Sequence, residues 1–169
     1  MVLKYSERNG IKVRDPSTCV VSLWDKENKK IYVIAEYYQR CATFEEICDG
    51  IKTKCNVSPK QKIYCDSADP RFIAYLQQEG LYALACKKGK DSNKLYMLFL
   101  QDHQIICHES CTNVAKELEN FTFLKDKNGN YVDDKTDHEF SHTLDALKYS
   151  YSDVYKSKKL GSINLKLGL

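Results

Sequence analysis

Along the chain, apolar positions alternate at first with period two and later recur with a helical period, so strands come first and helices and strands then take turns. Residues 17–38, STCVVSLWDKENKKIYVIAEYY, hold two runs rich in β-branched and aromatic residues around a polar turn, which predicts a hairpin with Trp24 and Tyr32 as cross-strand neighbours. In the preceding MVLKYSERNGIKVRDP, either Val2 and Leu3 or Ile11 and Val13 could belong to a strand. Thr43, with Glu46 three residues on, forms a capping box for an amphipathic helix to about Cys55, with Phe44, Ile47, Cys48 and Ile51 inward. Pro59 breaks that pattern. The stretch QKIYCDSADPRF at 61–72 then reads as a short buried strand ending on Asp66, followed by a helix that opens at Pro70 and stops at Gly80.

LYALAC is the next strand and KKGKDS a basic turn. A helix over Ser92 to Asp102, a strand at QIICH and a short helix over Thr112 to Asn120 follow. FTFLKDKNGNYVD reads as a hairpin turning at Asn128 and Gly129. The last element is a helix from about Asp137 to Tyr155, after which residues 156–169 show no firm pattern. This order predicts an α/β fold with a mixed sheet, antiparallel in its first strands and parallel afterwards, flanked by helices.

Composition narrows the setting more than the chemistry. A chain of 169 residues with 43% hydrophobic and 29% charged residues is one ordinary globular domain. The net charge of +3 permits a polyanionic partner without demanding one. With charges at Lys4, Glu7, Arg8, Lys12, Arg14 and Asp15 no signal peptide is expected, and no apolar stretch approaches membrane-spanning length. The eight cysteines are therefore expected as free thiols in a reducing, cytoplasmic compartment, with Cys19, Cys65, Cys86 and Cys107 in apolar runs. Cys107 and Cys111 bracket His108 as half of a zinc site, without a second ligand pair at knuckle spacing nearby.

Two places carry candidate chemistry. Asp66 stands at the carboxyl end of a strand, the edge of an open α/β sheet where reacting groups converge; the plain alternative is that Asp66 or Asp69 caps the helix opening at Pro70. The last helix divides into two faces when residues are set about 100° apart. Phe140, Leu144, Leu147 and Tyr151 form the core side, whereas His138, His142, Asp145 and Tyr149 form a polar side that is either solvated or a set of metal ligands.

Five stretches in one order, IYVIAEYY, YCDSADPRFIAYLQQEG, ALACKKGKDS, CTNVAKELENFTFLKDKNGN and DHEFSHTLDALKYS, resemble the C-terminal nuclease domain of viral terminase large subunits, the DNA-packaging motors of tailed bacteriophages. The resemblance implies a ribonuclease H-like nuclease domain over residues 1–155, with 156–169 as a tail, and an endonuclease that cuts concatemeric double-stranded DNA during packaging. It implies two divalent ions, Mg2+ or Mn2+, held by shared carboxylates, because such ions activate water and offset phosphate charge. The family's acidic positions fall on Asp66 and Asp145, with His142 at its nearby histidine and Lys87, Lys88 and Lys90 on a loop expected at the DNA backbone. Implied partners are an ATPase domain of the same terminase, since no GxxxxGK[ST] phosphate loop occurs here, and the portal and small terminase subunit. The implied location is the cytoplasm of the bacterial host.

The chain departs from the family on the first strand. Its carboxylate position is taken by Lys4 or Lys12, ahead of Asp15-Pro16-Ser17-Thr18. Three readings stay open: a lysine that impairs the nuclease, a site completed by Glu7 or Asp15, or a different strand alignment. The rival functions are a catalytically degenerate DNA-binding or docking module of the motor, and a zinc-binding domain built on His138, His142 and Cys107 to Cys111.

Overall fold

The computed structural model describes residues 5–8, 11–89, 92–121, 123–125, 131–136 and 140–154. Strands β1 (Tyr5–Arg8) and β2 (Ile11–Arg14) pair antiparallel as a small separate hairpin, with Lys12 opposite Glu7. Strands β3 (Ser17–Asp25) and β4 (Lys30–Gln39) form the long predicted hairpin. Helix α1 (Phe44–Thr53) follows, then β5 (Lys62–Cys65), α2 (Pro70–Gln78), β6 (Tyr82–Ala85), α3 (Ser92–Gln101) and β7 (Gln104–Cys107). The chain continues through α4 (Thr112–Asn120), the paired strands β8 (Phe123–Lys125) and β9 (Tyr131–Thr136), and α5 (His142–Ser150). Strand pairing is antiparallel between β3 and β4, and parallel from β4 to β7 and from β5 to β6, so the antiparallel-then-parallel order holds.

The hairpin differs from expectation in register. Trp24 lies opposite Ile31, and Tyr32 opposite Leu23. The turn sets this: the Asp25 carboxylate accepts the backbone N–H and side-chain amide of Asn28 at 3.1 and 2.8 Å, closing the loop between Asp25 and Lys30. Farther along, a bulge between Val21 and Ser22 skips Ile34 in the pairing. One extra residue reverses the face taken by alternate side chains. Ile31 and Val33 thus join one core with Val20, Val114 and Leu147, while Ala35 and Tyr37 join the other with Ile47, Phe72 and Leu76. Helices α1 and α2 cover the second core; α3, α4 and α5 supply the first.

Local signals explain the helix starts in the core layer. Thr43 and Glu46 form the reciprocal capping box, and Asp69 caps α2 by accepting the Phe72 N–H, with Pro70 in the first turn. Gly50 is buried on α1 directly under the Tyr37 ring, where an added Cβ would overlap two ring carbons. Gly80 takes φ of 80°, a left-handed conformation that ends α2. The α5 helix starts at His142 with Ser141 as its N-cap, later than the pattern indicated. Its inward face is as expected, with Leu144, Leu147 and Tyr151 buried. Residues 137–139, His138 among them, lie outside the described residues, as do 126–130 of the β8–β9 turn. All eight cysteines are free thiols. Among the described residues no helix is long and apolar enough to cross a membrane.

Candidate active site

Asp66 directly follows β5, and the chain bends at once so that its Oδ1 accepts the Ala68 N–H at 2.9 Å. Because Asp69 is the residue that caps α2, Asp66 is left facing a cavity of about 390 Å³. Asp15, His142, Asp145 and Tyr149 line the same cavity. The β6 strand leaves the sheet alongside Asp66, because the Cys86 N–H bonds the Cys65 carbonyl at 2.7 Å. Two residues later the Lys88 ammonium meets Asp66 Oδ1 at 2.5 Å, and the Tyr149 hydroxyl donates to Oδ2 at 3.1 Å.

Asp66 is 7% exposed, and burial of that kind disfavours a carboxylate. Burial by itself would raise its pKa; the hydrogen bonds from Lys88 and Ala68 and the Lys88 charge outweigh it and hold the group below its ordinary value. Tyr149 is shifted upward, first by burial and then by the charges of Asp145 and Asp66, so its phenol keeps its proton and acts as a donor. The Lys88 ammonium also stands 5.1 Å from the centre of the Tyr149 ring.

The other carboxylate arrives on α5, where His142, Asp145 and Tyr149 share one face, as three- and four-residue spacings require. Ser141, the N-cap, makes no side-chain cap bond. Glu117 of α4 does this work: its Oε2 accepts the Thr143 N–H at 2.7 Å, the Thr143 hydroxyl at 2.6 Å and the Leu144 N–H at 3.2 Å. Thr18 on β3 donates to the His142 carbonyl at 3.1 Å, which ties the same turn to the sheet. Asp145 Oδ1 meets the ammonium of Lys148 at 2.6 Å; the Lys148 side chain is 2% exposed and that of Asp145 37%.

The structure thus brings Asp66, Asp145 and His142 to one cavity. Lys87 lies beside it in an ion pair with Asp153 at 2.5 Å, and Asp153 also accepts the Tyr64 hydroxyl at 2.7 Å. Lys90 and Lys4 fall outside the described residues, and Lys12 is placed by its backbone on β2. Among the described residues no group of three or more His, Cys, Asp or Glu is placed to hold a metal ion. Cys111 is buried and His108 is exposed, bonded to Ser110. Sequence reasoning missed Lys148 and Glu117. Lys148 was legible as the residue three past Asp145; Glu117 was not, because its partners lie 26 and 27 positions away.

A mixed sheet flanked by helices, with an aspartate at a strand's carboxyl end sharing one cavity with another on the last helix, is a ribonuclease H-like arrangement. Comparison with known proteins agrees and is more specific. The family model for the terminase RNase H-like domain matches residues 12–153. The PBSX phage terminase large subunit of Bacillus subtilis (strain 168) is 33% identical over 133 residues, 76% of this chain and 29% of that protein. The terminase large subunit of Bacillus phage SPP1 is 29% identical over 155 residues, 89% of this chain and 35% of that protein. The crystal structure of the large terminase nuclease domain from bacteriophage SPP1 with bound Mn has a TM-score of 0.75 at 28% identity, covering 83% of this chain and 80% of that one. The chain belongs to the terminase large-subunit family, in its ribonuclease H-like nuclease domain. Its matched span is about a third of the length of those two relatives.

Proposed function

We propose that this chain is a divalent-metal-dependent endonuclease domain that cuts concatemeric double-stranded DNA during viral genome packaging in the host cytoplasm. The observation that carries the reading is the meeting of Asp66 and Asp145, from a strand end and a helix, at one cavity that Tyr149 also lines. Both are hard oxygen donors and each already draws an ammonium group, so the pair fits a divalent cation of the Mg2+ or Mn2+ kind. The manganese in the SPP1 nuclease domain supports this choice. Asp66 and Asp145 would hold the metal, which when bound activates water and offsets phosphate charge. The family's two-ion arrangement needs a further donor, for which Asp15 on the cavity wall is available.

The protein's own groups supply the rest. Tyr149 fixes the orientation of Asp66 through its hydroxyl, and Lys148 holds Asp145 from below. His142, one turn ahead of Asp145, orients a carboxylate, phosphate or water. Lys87, Lys88 and Lys90 meet the DNA backbone, a contact that positions the duplex without reading its sequence. The ATPase that drives translocation belongs to the remainder of the terminase, with the portal and small subunit as further partners.

Cleavage of supercoiled plasmid in Mn2+ tests the proposal. Asp66→Asn and Asp145→Asn should each lower the rate by about a hundredfold or more while duplex binding persists. A second reading, a non-catalytic module that binds DNA or docks on the motor, is favoured by the lysine seated on each aspartate. Duplex binding by the unaltered chain without metal-stimulated cutting would decide for that reading.

A further inference from the structure

The two lysines at the carboxylates are not equivalent. Lys148 is 2% exposed and sits on the same helix as Asp145, so burial and helix geometry hold it in place. Lys88 is 41% exposed and lies in the irregular stretch after β6, followed by Gly89, where an added Cβ would meet nothing within 4 Å. Its partner Asp66 is far less accessible, with a side chain 9% exposed. A nearly buried carboxylate needs a cation, and Lys88 is the one that meets it here. It can also leave, since its side chain reaches solvent and the Tyr149 ring offers a face for its ammonium nearby.

We propose that Lys88 is a displaceable internal cation of the metal site: it seals Asp66 when no divalent ion is bound and must swing off when one enters. The inference rests on the metal-site reading above. Because a divalent ion binds only the fraction of molecules in which Asp66 is open, apparent metal affinity is lowered by the stability of the Lys88–Asp66 pair. Released Lys88 remains beside the cavity, where a DNA phosphate is its next partner. Metal entry would thereby convert an inhibitory contact into a substrate contact.

Mn2+ binding at constant pH, read from the loss of the free-ion paramagnetic resonance signal, tests this directly. Lys88→Met should bind Mn2+ roughly tenfold more tightly than the unaltered chain, whereas Lys88→Arg, which keeps the cation, should show no such gain. In the unaltered protein, acetylation of Lys88 followed by mass spectrometry should speed up several-fold on adding Mn2+, while Lys148 stays protected. This second measurement needs no variant to fold. If Mn2+ binds and Asp66→Asn abolishes it, yet Lys88→Met binds no better and Lys88 labelling does not change, the displaceable-cation proposal is overturned and the metal site stands. If neither the unaltered chain nor Lys88→Met binds Mn2+, both fall together.

Discussion

At the site, one residue's task is set by what its neighbours have already taken. Asp66 and Asp69 are three apart and either could cap α2, yet Asp69 makes the cap and Asp66 collects Lys88, Tyr149 and the Ala68 N–H. Glu117 presents the opposite problem, a buried carboxylate whose donors are the neutral groups of Thr143 and Leu144. Its Oε2 takes three donors at the start of α5, and its buried Oε1 has no hydrogen-bond partner among the described residues. Burial raises its pKa, and the bonds from Thr143 and Leu144 only partly oppose this. The folded chain therefore holds that proton more tightly than the unfolded chain. Protonation of Glu117 favours the fold; this contribution is complete below the unfolded value of about 4.3 and is lost as pH rises through the higher folded value. Relative to Glu117→Gln, the unaltered chain should lose stability as pH rises across that window and level off above it, as followed by urea midpoints. A difference that does not vary with pH would show that Glu117 titrates alike in the folded and unfolded chain.

Among elements, helices α1 and α2 carry their own starting signals, whereas α4 and α5 borrow theirs. The N-caps Cys111 and Ser141 make no side-chain cap bond. Instead Glu36 of β4 accepts the N–H groups of Asn113 and Val114, both at 2.9 Å, and Glu117 serves α5 in the same way. Such caps tie each helix to a neighbour and so fix where α5 presents Asp145. The α1–β4 contact is close enough to be tested by one methyl group. Alanine in place of Gly50 gains about 1 kcal/mol of helix propensity, but its Cβ would meet the buried Tyr37 ring, and overpacking costs about 1–3 kcal/mol. The second effect should win, so Gly50→Ala should lower the thermal midpoint by a few degrees, measured by circular dichroism. An unchanged or higher midpoint would mean that the ring moves aside freely.

For the whole molecule, the open matter is the third acidic position of the family's site. The resemblance puts Lys4 or Lys12 at that position, and an ammonium beside two carboxylates would repel divalent ions. If that lysine impairs the site, Lys4→Asp or Lys12→Asp, but not both, should raise manganese-dependent plasmid cutting by at least about tenfold. Strong cutting by the unaltered chain, with both variants inert, would assign the position to Asp15, which lines the cavity, or to Glu7. The alternation of strands and helices, the hairpin, the inward face of α5 and Asp66 at a strand end are legible in the chain, because periodicity, capping boxes and turn residues act over a few positions. It also carried five motifs in one order, enough to place the family. Packing settled the rest. The bulge that skips Ile34, the cap from Glu117 and the Lys88 ammonium at Asp66 depend on which groups meet once elements pack. Lys88 lies 22 residues from Asp66, and Tyr149 lies 83. Burial creates the need for their contacts by removing water from Asp66, and no local pattern in the chain records which donor will answer it.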